Sequence, residues 1–157
     1  MMAIPAMILA ITHPEQYETG VKAFEIFSED LDLLWEPEMF REIIGSWWSP
    51  FSGVSVISNR RTPAHRDNNS RANWYDVLVT VGHYPTLGIR FPGLDTTFSY
   101  NNGTAVALCG QILTHEVAEI GYGSRWCFAW FMRETIRERL KLDAGEFSNV
   151  ERVMGEL

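Results

Sequence analysis

The chain has 157 residues, of which 46% are hydrophobic and 13% aromatic, and its formal net charge is −7. A chain of this length buries one sizeable core but hardly two, so we expect a single domain. The acidic excess lies in residues 1–50, where nine acids stand against two basic residues, and the remainder is neutral. Global charge neither supports nor excludes a nucleic-acid partner, because the neutral part can carry a local basic patch.

The two cysteines, Cys109 and Cys127, lack the spacing of a disulfide framework or a zinc knuckle. This usage is typical of a reducing compartment inside the cell. The opening segment MMAIPAMILAIT is apolar, but it has no basic n-region and is too short to span a bilayer. We therefore expect no membrane partner, and we interpret residues 6–11 as a buried first strand.

Two helical segments follow this predicted strand. In HPEQYETGVKAFEIF, Pro14 stands at a helix start, and Tyr17, Val21 and Phe24 have the spacing of one helical face. The segment PEMFREII repeats the pattern on a smaller scale.

After Gly45 the pattern changes to short β-rich runs separated by turn signals: GVSVIS, WYDVLVTVG, LGIRF, TTFSY, TAVALCG and RWCFAWFM. Helices followed by about six to eight regularly spaced strands predict a mainly β fold with flanking helices (α+β) and a jelly-roll or barrel core. Residues 1–45 should form a strand and bracing helices, residues 46–133 the jelly-roll core, and residues 134–157 a C-terminal helix and tail.

The segment NRRTPAHRDNNSR, residues 59–71, concentrates four arginines around His65 and Asp67. Side chains two residues apart on an extended strand point to the same side, so this histidine and aspartate can face one metal ion. Taken alone, the pair is equally compatible with a surface histidine beside an aspartate near a turn. A metal site requires a third ligand.

His115 is the best candidate for the third ligand. It follows the strand-like run TAVALCG after a short connection and precedes a strand headed by an arginine. His13 and His83 stand instead at a helix start and a strand end, where caps, turns or packing explain them. Two histidines and one carboxylate form the facial triad that holds non-haem Fe(II) and leaves open positions for other ligands.

Arg125 opens the apolar strand RWCFAWFMR, ten residues after His115. An arginine in such a strand is either a satisfied interior charge or a fork for a carboxylate, because its guanidinium keeps its charge when buried. Alternation along the strand divides its side chains between two faces, and the face of Arg125 would line a ligand pocket with five residues: Arg125, Cys127, Ala129, Phe131 and Arg133.

The ordered set His65, Asp67, His115 and Arg125 resembles the 2-oxoglutarate/Fe(II)-dependent dioxygenases, which have a double-stranded β-helix (jelly-roll) core. Four longer strings are similar to the TET/JBP branch, and particularly to compact TET-like oxygenases of fungi: NRRTPAHRD, RANWYDVLVTVG, GTAVALCGQILTHEV and FAWFMRETIRERL. The resemblance covers roughly residues 45–141. It implies oxidation of the methyl group of 5-methylcytosine, flipped out of DNA, to hydroxymethyl and further to formyl and carboxyl products.

The resemblance also implies roles at the iron. His65, Asp67 and His115 would be the catalytic metal ligands for Fe(II), with 2-oxoglutarate and O2 taking the open positions. Arg125 would bind the distal carboxylate of 2-oxoglutarate. Family members commonly carry a hydroxyl residue two positions after this arginine, and this chain has Cys127 there.

For the substrate, the resemblance implies that Arg60 and Phe131 sandwich the base. Some relatives read the cytosine edge with an acid and a histidine at two further positions, which here hold Ser70 and Arg133. Arg133 is therefore a substrate-binding candidate that replaces the histidine of those relatives with an arginine. The implied partner is DNA containing 5-methylcytosine, and the implied location is intracellular and nuclear.

Two other classes of function remain compatible with the sequence. The same oxygenase chemistry can act on another methylated base such as N6-methyladenine, on RNA, or on a small molecule. A jelly-roll that keeps the ligands can also act as a non-catalytic binding module.

Overall fold

The structure is a computed structural model that describes residues 3–33, 36–143 and 145–147. Its helical part begins the chain: α1 (Ala3–Thr12), α2 (Pro14–Glu29), a short 3-10 turn (Leu31–Leu33) and α3 (Pro37–Ile44). A further helix, α4 (Glu134–Leu140), follows the last strand at the predicted C-terminal position. The predicted tail beyond residue 147 lies outside the described residues. Across the described ranges, no helix is long and apolar enough to cross a membrane.

The described residues contain eight strands, which form two four-stranded sheets with antiparallel pairing throughout. The first sheet consists, in spatial order, of β1 (Gly53–Ser58), β8 (Ser124–Phe131), β3 (Asp76–His83) and β6 (Ala105–Leu108). The second consists of β2 (Thr62–His65), β7 (His115–Val117), β4 (Gly88–Phe91) and β5 (Thr96–Ser99). This architecture confirms the predicted mainly β fold with flanking helices and a jelly-roll core.

The two sheets enclose the main core. Leu78 and Cys127 of the first sheet pack in one buried cluster with Ile89 and Val117 of the second. The helices cover the outer face of the first sheet, where Leu9 of α1 packs in a second cluster with three buried residues: Phe51, Val77 and Trp130. The predicted alternation on β8 holds here, because Cys127 belongs to the inner cluster and Trp130 to the outer one.

The predicted first strand is wrong, because residues 6–11 belong to helix α1. A short unbroken apolar run has no period that separates a strand from a helix, so the sequence was ambiguous there. Pro5 and Leu9, four residues apart on one side of α1, are buried, whereas Ile4, Met7 and Ile11 are exposed. Contacts with the outer face of β3 and β6 therefore select the helix.

Helix α2 begins at Pro14 as predicted, with His13 as its cap, but its buried face is not the predicted apolar stripe. The buried residues are Gln16, Gly20, Ala23 and Phe27. The Gln16 side chain donates to Tyr75 O at 2.9 Å and accepts from Tyr75 N at 2.8 Å. At Gly20 a side chain would collide with the Pro50 carbonyl. A polar residue and a glycine thus form the contact face, which a search for apolar residues misses.

Candidate metal centre and cosubstrate cavity

The three predicted ligand side chains meet at one end of the jelly-roll. His65 ends β2 and lies directly opposite His115 at the start of β7. Asp67 follows β2, and its backbone N–H donates to Gly110 O at 2.9 Å. Asp67 Oδ1 is 3.5 Å from His65 Nε2, and Asp67 Oδ2 is 3.7 Å from His115 Nε2. The ligand atoms all lie within 4.8 Å of one another.

Hydrogen bonds to backbone carbonyls orient the two imidazoles so that Nε2 of each faces the ligand cluster. His65 Nδ1 lies 3.0 Å from Pro63 O, and His115 Nδ1 lies 3.0 Å from Leu113 O. A carbonyl oxygen only accepts, so each Nδ1 donates to it, and each Nε2 faces Asp67 as the nitrogen that would bind a metal. Two neutral imidazoles and one carboxylate are the donor set of a facial Fe(II) site, and the cluster fits that ion.

Gly110 makes room for the carboxylate of this cluster. A Cβ at this position would meet Asp67 Oδ2 and would lie 2.7 Å from Asp76 Oδ2. The absence of a side chain therefore lets two acids approach the same backbone segment. The sequence offered no sign of this constraint, since Asp67 and Gly110 are far apart along the chain.

Arg125 is buried on β8, with 1% of its surface exposed. Its Nε donates to Thr80 Oγ1 at 3.0 Å, and its guanidinium carbon lies 5.0 Å from the centroid of the Tyr100 ring. Its Nη1 has no hydrogen-bond partner among the described residues. A buried guanidinium with an unused donor is costly, and a carboxylate in the neighbouring cavity would satisfy it. This orphaned donor fits the distal carboxylate of 2-oxoglutarate.

One cavity of about 450 Å³ joins all the site residues predicted from the sequence. Its wall includes the three ligand candidates, the cosubstrate candidate and the three substrate candidates: His65, Asp67, His115, Arg125, Arg60, Phe131 and Arg133. The inward face of β8 supplies Arg125 and Phe131, in agreement with the predicted alternation, and Arg133 follows just after the strand. Residues scattered over more than 70 positions of the chain thus share one space.

The basic segment around His65 divides into two groups. Arg60, Arg61 and Arg66 are exposed, and Arg60 and Arg66 line the cavity. Arg71 is instead tied into the fold, because its Nη1 donates to Glu134 Oε1 at 2.7 Å and its Nε donates to Asn73 Oδ1 at 3.1 Å. Arg71 therefore does not belong with the other three as a free surface cation.

Phe131 and Arg133 contact each other at the cavity. The Arg133 guanidinium carbon lies 4.4 Å from the centroid of the Phe131 ring. Gly53, opposite Phe131 on β1, leaves room for this ring, because a Cβ there would lie 2.8 Å from Phe131 Cζ. The Phe131 ring thus lies fixed at the cavity wall. Its face is covered by the long, cationic side chain of Arg133.

Asp76 is a cavity residue that the sequence did not single out. It is buried, it lines the same cavity, and its Oδ1 accepts a hydrogen bond from Ser70 Oγ at 3.3 Å. Burial, with a further contribution from nearby Asp67, raises the pKa of Asp76 to about 7. The sequence did carry a signal for Asp76, which is an acid within the apolar run WYDVLVTVG. Strand alternation places it on the same face as Leu78 and Thr80.

An open jelly-roll with a His-Asp-His cluster beside a buried arginine defines a class of mononuclear iron oxygenases. The chain belongs to the Tet_JBP family, the oxygenase domain of the 2OGFeDO superfamily, whose family model matches residues 1–134. The chain therefore carries an oxygenase domain of this superfamily, which uses Fe(II), 2-oxoglutarate and O2. These findings confirm the resemblance and the cofactors predicted from the sequence.

Among solved structures, the chain is similar to NgTET1, solved in complex with 5mC DNA, with 14% identity and a TM-score of 0.53. The match covers 69% of this chain and 42% of NgTET1, so this chain spans less than half of that protein. An RmlC-like cupin protein from Desulfovibrio desulfuricans matches at 12% identity and a TM-score of 0.35, over 49% of this chain and 71% of the cupin. No curated protein matches this chain.

Proposed function

We propose that this oxygenase acts on the methyl group of 5-methylcytosine in DNA. The first product would be 5-hydroxymethylcytosine, and 5-formyl- and 5-carboxylcytosine would follow by further rounds. The observation that carries this proposal is the shared cavity, where a flat aromatic ring and arginines lie beside the iron-binding cluster. A base that is flipped out of a duplex needs this combination of a stacking surface and phosphate-binding cations.

The chemistry of the site assigns a task to each group of residues on the cavity wall. Bound iron and 2-oxoglutarate supply O2-dependent oxidation of a methyl C–H bond, with succinate and CO2 as coproducts. His65, Asp67 and His115 would hold the metal at the wall of the cavity. Arg125 orients the cosubstrate by its distal carboxylate.

The exposed arginines supply the nucleic-acid contact in this proposal. Arg60 and Arg66 line the cavity, Arg61 is exposed next to Arg60, and the acidic excess of the chain lies in residues 1–50. Local positive charge at the mouth attracts phosphates even though the net charge is negative. Arg71 is excluded from this role by its ion pair with Glu134.

The base itself would stack on Phe131. In the structure the Arg133 guanidinium covers that ring, so an entering base would take its place and release Arg133 towards the DNA backbone. Arg60, on the same cavity wall, would cover the second face of the base. NgTET1, which has a similar fold and was solved with 5mC DNA, supports the choice of substrate.

The test is incubation of the protein with iron, 2-oxoglutarate and matched duplexes, followed by nucleoside mass spectrometry. The duplexes differ only in one modified base, which is 5-methylcytosine, N6-methyladenine or neither, and a methylated RNA of the same sequence is included. We expect oxidised cytosine products from the 5-methylcytosine duplex and none from the Asp67→Ala variant.

Any other result of this experiment would change the proposed substrate or the proposed class of function. Turnover of N6-methyladenine or RNA alone would replace the substrate and keep the oxygenase chemistry. DNA binding without succinate production from any duplex would favour the non-catalytic binding module. DNA as substrate also leads us to propose a nuclear location, which imaging of a tagged full-length chain would test.

A further inference from the structure

Two buried polar side chains, Arg125 of the cavity wall and Tyr100 behind it, have hydrogen-bonding capacity that their protein partners use only in part. The first is Arg125, whose Nη1 has no partner among the described residues. The second is Tyr100, which is 0% exposed and whose hydroxyl lies 3.2 Å from Cys127 Sγ. The Tyr100 hydroxyl also has a side-chain hydrogen-bonding interaction with Arg125, but a guanidinium can only donate, so the phenol proton is left with the weak thiol acceptor.

The two groups lie side by side. The Arg125 guanidinium carbon is 5.0 Å from the Tyr100 ring centroid, and Cys127 is two residues after Arg125 on the same face of β8. Both β8 residues line the cavity that contains the metal cluster. Burial raises the pKa of the Tyr100 phenol, with Cys127 adding to the rise and Arg125 opposing it. The phenol therefore keeps its proton at neutral pH and is available as a donor.

The remaining polar groups around Arg125 are already engaged. Thr80 Oγ1 accepts from Arg125 Nε at 3.0 Å and lies 3.0 Å from the Tyr84 hydroxyl. The Tyr84 hydroxyl in turn donates to Tyr100 O at 3.2 Å. This chain of bonds fixes one side of the guanidinium. It leaves Arg125 Nη1 and the Tyr100 hydroxyl as two donors suited to the two oxygens of one carboxylate.

We propose that Tyr100 is a cosubstrate-positioning residue, whose hydroxyl donates to the distal carboxylate of 2-oxoglutarate alongside Arg125. Cys127, on the cavity wall beside Arg125, has no hydroxyl to donate to this carboxylate. The Tyr100 phenol supplies that hydrogen bond instead. The proposal rests on the cosubstrate of the family and is independent of the identity of the DNA base.

The experiment measures ligand binding, without turnover, on the full chain loaded with Mn(II). Titration calorimetry compares 2-oxoglutarate with 2-oxopentanoate, which has the same chain length but no distal carboxylate. In Tyr100→Phe we expect about tenfold weaker 2-oxoglutarate binding, as for the loss of one hydrogen bond to a charged group. Binding of 2-oxopentanoate should stay as in the wild type. Tyr17→Phe, at a half-buried tyrosine of the helical cluster, is the matched control.

A second variant separates positioning from packing. Cys127→Ser puts a hydroxyl on the cavity wall, and in the Tyr100→Phe background it should restore most of the 2-oxoglutarate affinity. Unchanged 2-oxoglutarate binding in Tyr100→Phe would overturn the proposal. Equal losses for both ligands, or no restoration by Cys127→Ser, would also overturn it, because a packing defect acts without regard to the distal carboxylate.

Discussion

His65 and His115 lie directly opposite each other on β2 and β7, and their ring centroids are 4.3 Å apart. Thr62 pairs with Val117, so β2 has one more residue than β7 between these two pairs, which is a β-bulge. Residues three apart on a regular strand point to opposite faces, yet both Thr62 and His65 line the cavity. The bulge therefore turns His65 towards Asp67 and His115.

Removal of the carboxylate from this cluster should abolish metal binding. Asp67→Ala takes away the anionic ligand and leaves two neutral imidazoles, so we expect loss of bound iron and of turnover with a melting temperature close to that of the wild type. Metal analysis and circular dichroism on the same sample measure both effects. Glu18→Ala, at an exposed acid on α2, is the control. Normal iron content in Asp67→Ala would show that the metal lies elsewhere.

Gly110 should be required for metal binding without contacting the metal. In Gly110→Ala the new methyl group meets the Asp67 carboxylate, which must turn away from the histidines. We expect weaker Fe(II) or Mn(II) binding by about tenfold or more, with a folded protein. Gly93→Ala is the matched control, because a Cβ at Gly93 has nothing within 4 Å. Equal metal affinity in the two variants would contradict the proposed geometry.

Arg125→Lys should weaken 2-oxoglutarate binding while it keeps the charge. Lysine has no second nitrogen in a fixed fork, so we expect a loss of about 1–3 kcal/mol in binding free energy, as for a charge-assisted hydrogen bond. Calorimetry with the metal-loaded protein measures the loss. An unchanged dissociation constant would mean that Arg125 is only a satisfied interior charge.

Phe131→Ala should separate DNA oxidation from cosubstrate turnover. Stacking is worth about 1–3 kcal/mol per base, so turnover on methylated DNA should fall by roughly ten- to a hundredfold. Decarboxylation of 2-oxoglutarate without DNA should persist, because the metal ligands and Arg125 are unchanged. Trp126→Ala, on the opposite and exposed side of the same strand, should leave the ratio of the two activities unaltered. Equal loss of both activities in Phe131→Ala would indicate a collapsed wall.

Asp76 should make the metal-free protein less stable as the pH rises. The pKa of Asp76 is about 7 in the folded state against 3.8 as the ordinary value, so between these values the folded state binds more protons than the unfolded state. Its contribution to stability is then present below about pH 4 and is lost as the pH rises towards 7. Asp76→Asn removes this dependence.

The measurement is urea unfolding of both proteins at pH 5 and pH 8 with a chelator present. The stability of Asp76→Asn relative to the wild type should increase from the lower to the higher pH. Parallel stabilities at the two pH values would show that Asp76 is ionised throughout this range in the folded protein.

Local periodicity in the sequence was sufficient for several elements. The segment PEMFREII forms α3, and alternation on β8 predicted that Arg125 and Cys127 face inward while Trp130 faces the helices. These features depend only on the backbone geometry of one element, which repeats every 3.6 residues in a helix and every two in a strand. Residue chemistry was likewise enough to select His65, Asp67 and His115 as one ligand set.

Tertiary structure alone decided the features that depend on contacts between distant segments. Whether residues 6–11 became a strand or a helix was settled by packing on β3 and β6, and the buried face of α2 by the approach of Pro50 to Gly20. Asp76 lines the cavity, and Tyr100 contacts Arg125, only because the two sheets pack against each other. Burial, orphaned donors and a β-bulge are properties of paired segments, so no single stretch of sequence contains them.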